Sequence, residues 1–306
     1  MPKIKPFVKN FLYELVLFFF SLPGIRKYRD FLLSTWFLES KRNKLDNFIY
    51  PFLFKAWITN RYYPEKNPDK RILMQENLMG NDCGVEWAKN YHQKKFPNPD
   101  ARYGTLDFYE AYPWSTCIPK FLDSSQEKIT IFQIGSSSGT EIAWLAKTFP
   151  QHNFIGTDIY EEIINWAEGI YNLPNLQFAT MPGHLVPEVA KAVDTNKVII
   201  FSSASATYMQ PEHIDTFFKR VKSCQKEIYL FMVEPAREIN GQSPSEIRGS
   251  RPRSNFSYAH NYKYYSNKHE VNVTKCNIIH PYTPQEKYYP NHQGTVHYYF
   301  EAQNRA

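Results

Sequence analysis

The segment Ile129–Asp158 constrains the fold of this 306-residue chain more than any other. Its first residues, Ile129–Ile134, form a short apolar run rich in β-branched side chains, which predicts a buried strand. A tight turn of glycine and serine follows, and Thr140–Phe149 then carries apolar residues at helical spacing. Asn153–Thr157 predicts a second strand, and Asp158 stands at its end. A strand, a glycine turn, a helix, a second strand and an acid form half of a βαβ unit that binds a nucleoside cofactor.

The glycine spacing of the turn separates three kinds of nucleoside-binding site. A dinucleotide-binding turn, G-x-G-x-x-G, requires glycine at the positions of Ser137 and Thr140. The turn of short-chain dehydrogenases, G-x-x-x-G-x-G, fits Gly135 and Gly139 but requires glycine at the position of Glu141. A third pattern therefore has to be considered.

The third pattern is E/D-x-G-x-G-x-G, which aligns with residues 133–139. Gln133 then replaces the acid and Ser137 replaces the middle glycine. On this motif the chain resembles the class I S-adenosylmethionine-dependent methyltransferases. Glu141 favours this alignment, because an acid in the first helical turn would repel a pyrophosphate but not a sulfonium cofactor. The resemblance implies S-adenosylmethionine as the cofactor.

The order of predicted elements extends the resemblance over residues 115–303. Helical and strand patterns alternate after Asp158, which predicts parallel strands joined by helical crossovers. The resemblance implies an α/β fold class: a Rossmann-like methyltransferase sheet, mostly parallel with an antiparallel last strand, plus an N-terminal helical appendage. The predicted helices are Ser115–Leu122, Glu161–Tyr171, His184–Val193, Pro211–Ser223 and Asn255–Lys268; the predicted later strands are Leu176–Ala179, Lys197–Phe201, Glu227–Val233, Glu270–Ile279 and Thr295–Ala302.

We expect three parts in the chain: an apolar and basic N-terminal helix at residues 1–28, a helical, aromatic-rich appendage or substrate cap at 29–114, and a Rossmann-like methyltransferase domain at 115–306. Lysines 3, 5 and 9 accompany an apolar run within residues 7–25. That run is shorter than the 18–20 or so apolar residues of a spanning helix. It either packs on its own domain or in a homodimer, or it lies as a peripheral helix on a membrane surface.

The resemblance implies cofactor contacts from the C-terminal ends of successive strands, where open α/β sheets bind ligands. The turn would line the methionine end of the cofactor, Asp158 would bind the ribose, and Ile159 would pack on the adenine. Thr180 or Met181 would flank the base, and two serines follow the fourth strand. The predicted cofactor-binding residues are Gln133, Gly135, Ser137, Gly139, Asp158, Ile159, Met181, Ser202 and Ser203.

Methyl transfer to a hydroxyl needs alignment and a base. His184 follows the third strand, Glu234 ends the fifth, and His260 lies on the following predicted helix; each is also compatible with a structural role. After the fourth strand, Ser202 and Ser203 stand where relatives of other specificity carry acids or Asn-Pro-Pro-Tyr. We therefore expect O-methylation of a small-molecule or glycan acceptor and no metal.

The long polar segment Glu234–Arg253 is predicted to be the acceptor loop. Its arginines are suited to an anionic acceptor because the guanidinium donates two parallel hydrogen bonds. A solvated charged loop is the alternative. The predicted substrate-binding residues are Arg237, Arg248, Arg251 and Arg253.

Composition bounds the partners and the compartment. The net charge of +6 comes without a long basic block, so a nucleic-acid partner is not expected. The four cysteines are scattered, which indicates a reducing compartment, and we expect a cytoplasmic protein with possible membrane association through its N-terminus.

Two other functions stay open. A short-chain-type NAD(P)-dependent oxidoreductase needs Tyr-x-x-x-Lys, which Tyr264 and Lys268 supply, but Ser202–Ser205 lacks the Asn-Asn-Ala-Gly of those enzymes. A non-catalytic methyltransferase-like scaffold is the second, because Gln133 and Ser137 depart from the motif.

Overall fold

The computed structural model describes residues 6–25, 28, 52–74, 113–236, 248–254, 256–279 and 296–305. The chain divides into two compact units, Met1–Trp87 and Ala88–Ala306. Each unit is described by itself, with the described helices and strands numbered in chain order. The predicted domain boundaries at residues 28 and 114 stay predictions.

The larger unit is built on one seven-stranded sheet with the strand order β3-β2-β1-β4-β5-β9-β8. Strands β1 to β5 are parallel, whereas β9 is antiparallel to both β5 and β8. This arrangement confirms the predicted fold class, a mostly parallel sheet with an antiparallel last strand. The strands are β1 (Ile129–Ile134), β2 (Asn153–Asp158), β3 (Leu176–Thr180), β4 (Lys197–Ser203), β5 (Glu227–Ala236), β6 (Ser250–Ser254), β7 (Ser257–His260), β8 (Asn272–Ile279) and β9 (Val296–Gln303).

Helices cover both faces of the sheet, and each face has its own apolar core. Strand β1 is buried along its whole length, so its alternate side chains enter opposite cores. Ile129 and Ile131 pack with α4, α5 and α6, while Phe132 and Ile134 pack with α7, α8 and α9. These helices are α4 (Trp114–Ser124), α5 (Thr140–Thr148), α6 (Glu161–Ile170), α7 (Val186–Val189), α8 (Pro211–Ser223) and α9 (Tyr262–Lys268).

A buried asparagine connects the C-terminal end of α8 with the start of β5. The Asn304 amide nitrogen donates to the backbone carbonyls of Val221, Cys224 and Lys226 at 3.2, 3.1 and 2.8 Å. Its oxygen accepts from the Ile228 amide at 2.9 Å. One side chain after β9 thus satisfies the end of α8 and the start of β5.

Three predictions were wrong in detail. Residues Ser257–His260 form β7 and not the first part of a helix, because they pair with β6; the helix begins at Tyr262, where the Asn261 side chain accepts from the Tyr264 amide at 3.0 Å. The segment predicted as a loop, Glu234–Arg253, begins inside β5 and ends inside β6. The predicted helix His184–Val193 consists of two 3₁₀ turns flanking the four-residue α7.

The smaller unit contains α1 (Pro6–Ser21), a helix at residues 52–57 that continues into a π-helical turn at Ile58–Tyr62, here called α2, and α3 at residues 68–74. The Glu14 carboxylate accepts from both terminal nitrogens of Arg61 at 3.1 Å and from the Asn60 amide at 2.8 Å. Leu17 and Phe20 of α1 are buried. Across the residues that the structure describes, no helix is long and apolar enough to cross a membrane.

Candidate functional site

The turn between β1 and α5 has the backbone shape of a three-glycine motif. Gly135, Ser137 and Gly139 have φ angles of 65°, 49° and 73°, all in the left-handed region. A Cβ atom on Gly135 would lie 2.3 Å from Ser205 Oγ, and one on Gly139 would lie 2.7 Å from the Phe178 ring. Ser137 adopts the conformation of the missing middle glycine, at a cost of roughly 1–2 kcal/mol. The turn therefore keeps its shape despite the substitution.

Gln133 on β1 is paired with Glu141 in the first turn of α5. The Gln133 side chain is buried, and its Nε2 donates to Glu141 Oε2 at 2.5 Å. Only the amide nitrogen can donate to a carboxylate, so the Gln133 Oε1 atom is the end left over, and it has no hydrogen-bond partner among the described residues. The site thus combines an unsatisfied carbonyl oxygen with a neighbouring carboxylate. This pair of acceptors suits a cation.

Asp158 joins the end of β2 to the same turn. Its Oδ2 accepts from the Ser137 amide at 3.0 Å, and its Oδ1 accepts from the Tyr160 amide at 3.3 Å. Burial raises the pKa of Asp158, while these backbone donors pull the pKa down. An ionised carboxylate has about four lone-pair sites, so two stay available for further donors such as ribose hydroxyls. Ile159, the next residue, is half exposed and offers an apolar surface beside the carboxylate.

The end of β3 closes this side of the site. The Met181 amide donates to the Asp158 carbonyl at 2.7 Å, which holds Met181 next to the ribose-binding candidate. Thr180 is exposed. The turn, Asp158, Ile159 and Met181 are therefore brought together, as the sequence resemblance implied, at the carboxyl edge of the sheet.

Two further buried polar atoms have no hydrogen-bond partner within the described part of the chain: Trp114 Nε1, at the start of α4, and Ser136 Oγ, in the turn after β1. The Trp114 ring packs on Phe201 with 5.1 Å between ring centroids, and Phe201 is the β4 register partner of Gln133. Ser136 was missed by the sequence reasoning, and so was the pairing of Glu141. The sequence signal for that pairing was the acid in the first turn of α5, Glu141. The sequence argument used this acid only as evidence against a bound phosphate.

The ends of β4 and β5 are tied together by a buried carboxyl group. Glu234 is 1% exposed, and its Oε1 accepts from Ser202 Oγ at 2.5 Å and from the Ala206 amide at 3.1 Å. Its Oε2 accepts from the Thr207 amide at 3.0 Å. Burial raises the pKa of Glu234 to about 7, although these donors pull the pKa down. Glu234 and Ser202 thus anchor the turn that follows β4.

The β6–β7 hairpin packs against that turn. Thr207 Oγ1 donates to the Tyr258 carbonyl at 2.7 Å. On β7, His260 Nδ1 lies 2.6 Å from Ser250 Oγ, which lies 2.7 Å from the Tyr265 hydroxyl. Burial lowers the pKa of His260 to about 3, so its ring is neutral at physiological pH. His260 is therefore enclosed in the hairpin, on a strand and not on the predicted helix.

His184 lies in the 3₁₀ turn Gly183–Leu185, which follows β3. Its ring stacks on His213 with 4.0 Å between centroids, and its carbonyl accepts from Arg220 at 2.9 Å. Burial, with the charges of His213 and Arg220, lowers the pKa of His184 to about 4. The partners of His184, namely His213 and Arg220, thus differ from those of Glu234 and His260.

The predicted acceptor-binding arginines are only partly described. Arg248 is exposed and Arg251 is half-buried at the start of β6. Arg253 lies on β6 by its backbone, and Arg237 lies outside the described residues. Ser203, after Ser202, is half-buried at the end of β4.

Comparison with solved structures found methyltransferases. A 1,6-didemethyltoxoflavin-N1-methyltransferase from Burkholderia thailandensis, solved with bound 1,6-didemethyltoxoflavin and S-adenosylhomocysteine, is 9% identical; the match covers 78% of this chain and 91% of that chain, with a TM-score of 0.47. An S-adenosylmethionine-dependent methyltransferase from Anabaena variabilis is 14% identical over 74% and 95%, with a TM-score of 0.46. One from Leishmania major is 12% identical over 82% and 90%, with a TM-score of 0.43. At these identities the likeness concerns the fold.

Comparisons based on the sequence alone found no match. No protein-family model matches the chain, and no curated protein matches it.

Proposed function

We propose that this protein is an S-adenosylmethionine-dependent methyltransferase that acts on a small-molecule acceptor. The observation that carries the proposal is the constellation at the carboxyl edge, where Asp158, the left-handed turn and the Gln133–Glu141 pair lie around the end of β1. It offers acceptors for ribose hydroxyls and for an ammonium group. Nothing in it is suited to a phosphate, because Glu141 occupies the helix N-terminus that a pyrophosphate would need.

Different residues of the site are suited to different parts of the cofactor. Asp158 would accept hydrogen bonds from the ribose, Ile159 and Met181 would pack on the adenine, and Gln133 Oε1 with Glu141 would hold the ammonium of the methionine end. Gly135, Ser137 and Gly139 would form the backbone wall, and Ser202 and Ser203 would lie beside it. When bound, S-adenosylmethionine supplies an electrophilic methyl group on its sulfonium. The protein contributes alignment of the acceptor with that methyl group.

We propose a hydroxyl acceptor, on a small molecule or a glycan, and His184 as the base that takes its proton. His184 is half-buried, and its pKa, lowered to about 4, leaves the ring unprotonated at physiological pH, although the same shift makes it a weak base. Glu234 is covered by its hydrogen-bond partners, and His260 is buried in the hairpin with its Nδ1 at Ser250 Oγ. We assign them to positioning the turn after β4 and the hairpin. Arg248 and Arg251 would then favour an anionic acceptor.

The oxidoreductase alternative is less well supported by the described side chains. Its candidate lysine, Lys268, donates to Asp215 at 2.7 Å and is partly exposed on α9. A catalytic lysine of that type has to reach the cofactor ribose, whereas this one is paired at the helix end. Glu141 again opposes a dinucleotide.

Calorimetry tests the proposal directly. The full-length protein should bind S-adenosylmethionine and S-adenosylhomocysteine, and NADH and NADPH should give no heat. Asp158→Ala should weaken S-adenosylmethionine binding by roughly tenfold or more, because a charge-assisted hydrogen bond contributes about 1.5–3 kcal/mol. Ile170→Ser, at an exposed position on α6, is the matched control and should leave the affinity unchanged. Binding of NADPH alone, or unchanged affinity in Asp158→Ala, would contradict the proposed function.

A further inference from the structure

One face of α1 is apolar from Phe11 to the C-terminal end of the helix. Leu17 and Phe20 point inward and are buried, while a second set of large apolar side chains is between 39% and 67% exposed. Members of this set recur at spacings of three and four residues, so they form one continuous stripe on a helix. We call this stripe the outer face. It consists of Phe11, Leu12, Leu15, Phe18 and Phe19 on α1, together with Leu22 directly after the helix ends.

The outer face is not needed to hold α1 in its unit. The helix is held from the other side, by the buried Leu17 and Phe20 and by the contacts of Glu14 with Asn60 and Arg61. A surface that exposes so much apolar area is costly in water and usually marks an interaction site. The stripe is therefore best explained by a partner.

The size of the outer face argues against a stable dimer as that partner. With a large apolar side chain exposing about 150–250 Å² when free, the outer face leaves roughly 600 Å² in contact with solvent. This is at the upper end of the largest patch on ordinary monomers, about 300–600 Å². A standard interface buries about 800 Å² on each partner. The outer face by itself falls short of that area.

Length and charge favour a bilayer surface. The 16 residues of α1 extend about 24 Å, too little to cross a hydrocarbon core of about 30 Å but enough to lie along its surface. Lys3, Lys5 and Lys9 stand at the N-terminal end of the same segment, in a chain with a net charge of +6. An apolar stripe flanked by lysines is the pattern of a helix that lies in the headgroup region of anionic lipids.

From these observations we infer that α1 docks the protein on an anionic membrane surface, with the outer face inserted among the acyl chains. This assignment is independent of the proposed methyl transfer. It places the enzyme where a membrane-embedded or membrane-bound acceptor would be found.

Vesicle sedimentation of the full-length protein tests the inference. Wild type should sediment with vesicles of phosphatidylcholine and phosphatidylserine, less with phosphatidylcholine alone, and less as salt is raised. The triple variant Phe11→Gln, Leu15→Gln, Phe18→Gln removes the centre of the outer face while keeping good helix formers. Its partition should fall at least roughly tenfold, since apolar burial supplies most of the binding. Circular dichroism and calorimetry with S-adenosylmethionine should match wild type.

Two further variants make the result decisive. Ile170→Ser with Val189→Ser removes exposed apolar side chains of the other unit and should sediment like wild type. Lys3→Gln, Lys5→Gln and Lys9→Gln together should lose the preference for anionic vesicles. Equal sedimentation of the Phe11, Leu15, Phe18 triple variant and wild type would overturn the inference. So would a dimer in vesicle-free ultracentrifugation that this triple variant dissociates, because the outer face would then bind a second copy.

Discussion

The buried carboxyl group of Glu234 gives the larger unit a pH dependence that one substitution removes. Burial raises the pKa of Glu234 to about 7 from an ordinary value of 4.5. A carboxyl whose folded pKa is raised binds its proton more tightly in the folded chain. Its contribution to stability is therefore fully present below pH 4.5 and is lost as the pH rises through 7. Glu234→Gln has no proton to lose and should lack this contribution.

The magnitude follows from the two pKa values. Between pH 5 and pH 8, a shift from 4.5 to about 7 changes the free energy of unfolding by about 2.5 kcal/mol. His260 works in the opposite direction: its pKa is lowered to about 3, so its contribution is lost as the pH falls below about 6.5. The profile of the wild type alone is thus ambiguous. The difference between wild type and Glu234→Gln isolates Glu234, because His260 is common to both.

The assay is urea unfolding at pH 5 and pH 8, followed by pulsed hydrogen exchange of peptides from β4 and β5. These peptides report the larger unit and not the whole chain. Relative to Glu234→Gln, wild type should be more stable at pH 5 than at pH 8 by about 2.5 kcal/mol. Glu161→Gln, at an exposed position on α6, is the matched control and should follow wild type at both pH values. A difference between wild type and Glu234→Gln that does not vary with pH would refute the reasoning.

Three further predictions concern the site and the sheet. Glu141→Gln should weaken the binding of S-adenosylmethionine and S-adenosylhomocysteine roughly 10-fold or more in calorimetry, but not the binding of 5′-methylthioadenosine, which has no ammonium group. The double variant Glu141→Gln with Gln133→Glu should restore binding. Equal weakening of all three ligands would contradict the ammonium role. Ser137→Gly should raise the free energy of unfolding by roughly 0.5–1 kcal/mol, because the relieved strain at a φ of 49° is partly offset by the larger entropy that glycine loses on folding. A loss of stability in urea unfolding would show that the serine is not strained. Asn304→Ala leaves the buried backbone groups of α8 and β5 without partners and should lower the free energy of unfolding by roughly 2–4 kcal/mol. The control is Arg305→Ala, at the next and exposed residue, which should leave the free energy of unfolding unchanged.

The parallel part of the sheet could be predicted from the sequence because its signals are local. Strands such as Ile129–Ile134 are short apolar runs bounded by turn residues, and each crossover helix has its own periodicity. The hairpin β6–β7 could not be predicted in this way. Its residues Ser257–His260 contain tyrosines that fit either a helix or a strand, and the pairing with β6 decides between them. Non-local pairing is invisible to a periodicity argument.

The site divides along the same line. The glycine turn could be predicted because its residues are consecutive in sequence, and Asp158 because it directly follows a recognisable strand. Glu234 was predicted from its place at the end of β5, but its partners come from the turn after β4, 27 and 28 residues away. Because these partners bury the Glu234 carboxylate, we assign it to holding the turn after β4 and not to accepting a proton from a substrate. From the sequence, Glu141 could be interpreted only as a charge that repels phosphate. Its hydrogen bond to Gln133 could not be predicted, because that bond depends on how α5 packs on β1.

The position of β9 has a consequence for how the protein is made. This strand follows every other strand in sequence, yet it lies in the interior of the sheet, between β5 and β8. While a ribosome adds residues at about 5–20 per second, the nascent sheet has an open edge at β5, and β8 has no neighbour to pair with. Open strand edges invite pairing with other chains. We therefore expect the interval before β9 emerges to be the part of synthesis in which the chain is most prone to aggregate.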